Sequence, residues 1–373
     1  MGKRLLKISR PSKMIQIKLD HLQKRLQKRP KSEYRKDLMD FEIEWIKSYQ
    51  AYLRGELLKS EEICNKLIKT KEYQQRIHCK QLVHSIRAKI YFKTGRIKES
   101  IIESKLLSDV ESSDELKSQT ILRTSDSSSI AMWLSGYPDQ AIETFENNER
   151  KHLKLNNIRG LITTYWEGIV LHTIDYNPEQ VLFYIETAKK IEEKYSIMSE
   201  RGFTLLANHL LTLVNIIKGQ KTDIHNIDIQ MEKLRRHTTL YKPFWKTLLA
   251  EAYLKMDQYE NCSRCIDDAL NISQKTGEIF YLPETHRINA ELKLKLDRKK
   301  DAKRSYKIAL SIAQENNAPM LELRALNSLC VNYDTLNKKE YEKNLRRTSE
   351  IMKTFDNKKT TFDIRNAQKI LKA

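Results

Sequence analysis

The stretch FWKTLLAEAYLKMDQYENCSRCIDDAL, residues 244–270, decides the fold. Each half carries apolar residues at helical spacing, and Asp257 breaks the pattern between them. Ala250, Tyr253, Cys262 and Ala269 set a small, aromatic, small, small pattern across the two halves. Small side chains let the helices approach closely, and the large one fills the gap beside them. One unit later Ala290, Ala302, Tyr306 and Ala309 occupy the same places. Earlier in the chain Ala88, Tyr91 and Ser100 do so, and Ala141 with Phe145 in between.

Turn-forming residues extend the unit along the chain. Gly55, Gly95, Gly136, Asn177, Gly219, Asp257, Asp297 and Asn337 are separated by 40, 41, 41, 42, 38, 40 and 40 residues. A helix-like segment precedes and follows each. Pro138 and Pro178 open second helices, and Pro243, Pro283 and Pro319 open first helices, where a missing N–H costs little. Helix, tight turn, helix and loop, repeated about eight times, predict an all-α helical-hairpin solenoid. Composition agrees. Gly (9) and Pro (7) are scarce among 373 residues, which disfavours turn-rich β folds and disordered linkers. Five Cys exclude a disulfide scaffold and fit a reducing compartment.

The formal charge of +19 is uneven. Residues 1–36 hold 13 Lys/Arg against Asp20 and Glu33, or +11, and the other 337 residues hold +8. The division predicted is a basic leader, 1–36, followed by a repeat domain, 37–373. Ile15, Ile17, Leu19, Leu22 and Leu26 mark one face of a short helix that Pro30 would stop. The leader, with Lys24, Arg25, Lys28 and Arg29, reads either as a solvated lead-in to the first hairpin or as an arm for nucleic acid or an acidic surface. The most apolar stretch, Leu205–Ile217, is interrupted by Asn208, His209 and Asn215 and is too short to span a bilayer. No signal peptide is evident, so a cytoplasmic location is expected.

The packing positions resemble those of tetratricopeptide repeats, although the period is near 40 and the motif's opening Trp and closing Pro are mostly missing. More narrowly, the chain resembles the C-terminal tetratricopeptide region of bacterial class III adenylate/guanylate cyclases and signal-transduction ATPase regulators. The matching stretches are WLSGYPDQAIETF (133–145), FWKTLLAEAYLKMDQYE (244–260), KTGEIFYLPETHRINAELKL (275–294), AKRSYKIALSIAQENNAPMLELRALNSLCVNY (302–333) and FDIRNAQKIL (362–371). That resemblance implies a right-handed superhelix acting as a sensor or scaffold arm. It does not carry over the catalytic domains. The only Gly-Lys pair is Gly2-Lys3, so no P-loop exists, and the cyclase metal-binding Asp pair has no counterpart.

Candidate chemistry is sparse. Cys262 and Cys265 form a lone C-x-x-C with no further ligands at zinc spacing, and core packing is the reading. His78, Cys79 and His84 do not share one helix face and read as incidental. No catalytic, cofactor-binding or metal-binding set emerges. His286 and Arg287 are the candidate contact residues. Arg287 can pair with Glu291 on one helix, either as a tie between hairpins or as a ligand contact on the inner surface. Trp133 and Trp245 read as core.

The function expected is a non-enzymatic scaffold or sensor whose concave surface binds a protein or peptide, an acidic one given the chain's charge. A cyclase or ATPase signalling protein is the partner the resemblance suggests. The alternatives are nucleic-acid binding through the leader, and a split regulatory half of a cyclase/ATPase system.

Overall fold

A computed structural model describes residues 33–111, 127–194, 201–222, 224, 226–234, 239–332, 337–355 and 361–372. Among these residues the chain is helical, with no strand. Eight pairs follow one another: α1 (Glu33–Arg54) and α2 (Leu57–Leu67), then α4 (Ile77–Lys93) and α5 (Ile97–Glu111) after the short α3 (Lys71–Gln75). Next come α6 (Ser128–Leu134) with α7 (Pro138–Lys154), α8 (Ile158–Ile174) with α9 (Pro178–Lys194), and α10 (Arg201–Ile217) with α11 (Ile227–Leu234). The last three are α12 (Lys242–Lys255) with α13 (Tyr259–Thr276), α14 (Leu282–Lys295) with α15 (Lys299–Glu315), and α16 (Pro319–Val331) with α17 (Lys338–Thr354). α18 (Phe362–Lys372) closes the array against α16 and α17. The prolines stand at helix starts, as their spacing requires. No described helix is long and apolar enough to cross a membrane.

One cap recurs at the turns. At Gly55, Gly95, Gly136, Tyr176, Gly219, Asp257 and Asp297 the turn residue has positive φ. Its N–H bonds the carbonyl three residues back, and the next N–H bonds the carbonyl five back. This pair of bonds satisfies the last carbonyls of the first helix while the chain reverses. Asn156 and Asn317 carry the same cap between hairpins, about half a period away. Two expected turns differ. The left-handed residue is Tyr176 and not Asn177, whose side chain instead accepts from the Gln180 N–H. Asn337 caps the start of α17 with a capping box formed with Glu340.

Within the pairs, small residues meet across the turn at a separation of 12. Ser48 meets Ser60 and Ala88 meets Ser100, and Ser129 with Ala141, Ala250 with Cys262 and Ala290 with Ala302 stand at the same separation, all of them buried. Where the second partner is serine it donates to the facing carbonyl: Ser60 to Ser48 at 2.8 Å, Ser100 to Ala88 at 2.8 Å. Tyr91, Phe145, Tyr253, Ala269, Tyr306 and Ala309 are also buried, beside these contacts.

The hairpin turns of the first half rest on residues of the second half. Thr239 donates to the Arg54 carbonyl, the Ile279 N–H to that of Lys93, and Arg324 to that of Ile174. A Cβ on Gly95 would collide with Asn316, and one on Gly136 with Phe355. These two glycines therefore serve both a left-handed turn and a close approach. As a result the first helices do not line an open concave side. α12 is buried from Pro243 through Leu254, and α16 from Met320 through Asn327. Trp133 and Trp245 lie in the core.

The first described helix begins at Glu33. The expected leader helix, together with Lys24, Arg25, Lys28 and Arg29, lies outside the described residues.

Candidate functional site: an inner charged seam and the outer helix faces

Arg287 is buried and holds three carboxylates. It bonds Glu251 on α12 at 2.8 Å, Glu284 one turn earlier at 2.8 Å, and Glu291 one turn later. Tyr176, from the turn of the fourth pair, donates to Glu251 at 2.6 Å. Ser328 on α16 donates to Glu291 at 2.6 Å. Arg324 continues the seam: it bonds Asp363 on α18 at 2.7 Å and the Ile174 carbonyl at 2.6 Å, with its guanidinium over the Tyr176 ring. Five helices and one turn are thus tied through two arginines. The sequence offered the Arg287–Glu291 pair as a tie between hairpins or as a ligand contact on the inner surface, with a helix contribution of a few tenths of a kcal/mol. The pair lies in a desolvated network that joins hairpins, where losing one member strands the others.

The carboxylates in the seam are not equivalent. Burial pushes Glu251 up, and Arg287 offsets this only in part. For Glu284 burial also pushes up, but Arg287 and Arg324 outweigh it and hold the group low. Burial raises Asp363 despite Arg324. Asp175 at the seam's edge accepts from the Phe362 N–H at 2.9 Å, and burial pushes it up to about 6. His286 points elsewhere on the helix. Burial and then Lys293 push it down to about 4, and its Nδ1 is buried without a partner among the described residues. The two candidate contact residues are thus neighbours with different surroundings: Arg287 is consumed by the seam, and His286 is held neutral.

Two lysines show the same inner chemistry. Lys93 is fully buried, pairs with Glu278 at 3.0 Å, and lies against the rings of Tyr241, Phe92 and Phe280. Glu278 also accepts from the Tyr241 N–H. Lys246 on α12 pairs with Asp228 at 2.8 Å and Asp268 at 2.9 Å.

The remaining candidates are accounted for by packing. Cys262 and Cys265 are buried free thiols, each pushed up to about 12 by burial, which suits neither metal nor redox exchange. No group of His, Cys, Asp and Glu among the described residues is arranged to hold a metal ion. His84 is not incidental. Its Nδ1 meets Glu103 at 2.6 Å and its Nε2 meets the Tyr73 hydroxyl at 3.2 Å. Arg87 pairs with the other Glu103 oxygen at 2.9 Å. The Tyr73 hydroxyl is pushed up, chiefly by burial, so the set lacks an activated nucleophile. Sequence missed it because Tyr73, His84 and Glu103 come from three helices.

Neither a protein-family model nor a curated protein sequence matches this chain.

The surface that remains free is the outward face of the second helices. α13, α15 and α17 each bury a stripe of small or apolar residues and turn charges outward. α15 buries Ala302, Ser305, Tyr306, Ala309 and Ala313 and exposes Lys299, Lys300, Arg304 and Lys307.

Proposed function

We propose that the chain is a non-catalytic scaffold or sensor module of the tetratricopeptide type, mediating protein–protein interaction in bacterial signalling. The observation that carries this reading is the recurrence, about every 40 residues, of one hairpin with the same two-bond cap and the same pair of small facing residues. Among the described residues there is no strand, and a stack of such hairpins offers long helix faces to other proteins. The resemblance to the C-terminal region of cyclase and ATPase regulators supports a signalling role and names a cyclase or ATPase protein as the partner class, including the split-half alternative. Because the inner helices are covered, the contact surface assigned here is the outer one.

The test is crosslinking pull-down from the source cells with the full chain, paired with assays of nucleotide cyclisation and hydrolysis. Capture of a signalling protein with no turnover is expected. Turnover by the purified chain would overturn the reading.

The +11 of residues 1–36 favours a second reading, binding of nucleic acid through the leader. It requires duplex affinity that falls steeply with salt and disappears when Lys24, Arg25, Lys28 and Arg29 are changed to Ala. Affinity that survives those changes refutes it.

A further inference from the structure

We infer that the outer faces of α15 and α17 form a docking surface for an acidic, partly apolar peptide segment of a protein partner. The inference rests on the scaffold reading and names the surface and the partner chemistry. Charge distribution points to it first. Residues 37–292 hold 35 Lys/Arg against 37 Asp/Glu, whereas residues 293–353 hold 15 against 8. Of the net +8 outside the leader, +7 is therefore gathered on the last two pairs.

The placement of these charges is costly. Lys299 and Lys300 open α15, and Lys338 and Lys339 open α17. The first turn of a helix favours acids and disfavours cations, because its free N–H groups and dipole are already positive. All four lysines are exposed. Their side chains, like those of Lys343 and Arg346, make no ion pair or hydrogen bond with a described residue. Lys293, near the same turn, is pushed down chiefly by burial, which Asp301 opposes and Arg298 and Arg304 reinforce. Lys303 and Glu340, paired at 2.6 Å, bring the N-terminal turns of the two helices together, so their basic ends make one surface.

Two features favour a protein over a nucleic acid. Leu296 and Ile308 lie among the lysines, 46% and 38% exposed, and give apolar contacts that a phosphate backbone cannot use. Most of the unpaired cations are lysines, point charges that suit scattered carboxylates, whereas bidentate phosphate clamping favours arginine. A segment with Asp and Glu interspersed with Leu or Phe matches both features.

The test uses the full chain and a labelled peptide about 18 residues long, rich in Glu and Asp with Leu at every fourth position. A duplex DNA of similar charge is the competitor. Anisotropy is measured for the wild type, for the quadruple variant K299E/K300E/K338E/K339E, and for the leader variant K24A/R25A/K28A/R29A. The expected result is peptide binding that weakens at least about tenfold in the quadruple variant and is retained in the leader variant. L296S should weaken it roughly threefold. No peptide binding, binding unchanged by the quadruple variant, or tighter binding of the duplex would each overturn the inference. Circular dichroism checks that the variants keep their helix content. Failure here without nucleotide turnover leaves the scaffold reading standing, whereas turnover removes that reading whatever the peptide does.

Discussion

α12 and α15 are both helices of one repeat design, yet they use charge in opposite ways. α12 is covered on every side. Its Lys246 and Glu251 are each matched to oppositely charged partners from other helices. α15 buries one stripe and leaves Lys299 and Lys300 without an ion pair or hydrogen bond from their side chains to a described residue. An ion that is desolvated must be paired, because an unpaired one costs several kcal/mol. An ion in water has no such obligation, so its position is free to serve something outside the molecule. Inner charge in this protein is therefore part of the fold, and outer charge is the better guide to function.

Breaking an inner pair should have the largest effect. Arg287→Ala would strand Glu251, Glu284 and Glu291 in a buried site and should cost about 3–5 kcal/mol in urea denaturation. A loss below about 1 kcal/mol would show that water reaches the seam and that inner and outer charge are not different in kind. Lys93→Met should cost about 3 kcal/mol, because the buried Glu278 loses its ion partner. Adding Glu278→Gln should restore most of this, since Gln removes the charge and keeps an acceptor for the Tyr241 N–H. If the double variant is no more stable than the single one, the aromatic contacts of Lys93 matter more than its charge.

The contrast also explains what could be seen in the sequence. The hairpin was legible because its determinants are local. A turn residue that tolerates positive φ, small residues facing across the turn and a proline at a helix start all lie within about 40 residues. The error at Asn177 had a local cause too, since Asn is the better left-handed residue and Tyr176 takes that place because its hydroxyl is claimed by Glu251 and Glu284 from far along the chain. Of the seam only the Arg287–Glu291 pair, four residues apart on one helix, was legible. Arg324 meets a carbonyl 150 positions away, and Lys93 meets Glu278 at a separation of 185. No periodicity links such residues. A partial signal existed, in that charged residues stood at positions where the helical pattern demands apolar ones: Lys93, Lys246, Glu251 and Arg287. Such exceptions mark buried pairs, although they do not say which residue pairs with which.

A smaller effect tests the edge of the seam through pH. Asp175 has its folded value pushed up to about 6, so the folded state prefers the protonated form. The stability this group contributes is fully present below its ordinary value near 4 and is lost as pH rises through about 6. Asp175→Asn keeps the acceptor for Phe362 and removes the penalty. It should raise stability by about 2 kcal/mol at pH 7.5 and by little at pH 4, measured as paired urea titrations. His286 works in the other direction. Its folded value near 4 means that its contribution is present above about pH 6.5 and is lost on acidification through about 4. A gain for Asp175→Asn that is equal at both pH values would mean that the carboxyl is not titrating in this range.

The smallest effect separates the two kinds of lysine most directly. Lys300→Gln and Lys339→Gln each remove a cation from the first turn of an exposed helix, where the dipole opposes it. Each should raise Tm by about 1 °C at low salt and by nothing measurable at about 0.5 M salt, where screening removes the penalty. Lys246→Gln makes the same chemical change on α12, but it leaves Asp228 and Asp268 without their partner and should lower Tm by several degrees, with little salt dependence. The signs are opposite for one substitution type, so no general dislike of lysine or of glutamine accounts for both. If Lys300→Gln and Lys339→Gln also lower Tm, these residues serve the fold. Their exposed position would then no longer argue for a partner. If they raise it, the chain tolerates a small loss of stability at the ends of α15 and α17, which is the trace a binding surface leaves in a folded protein that is not bound to anything.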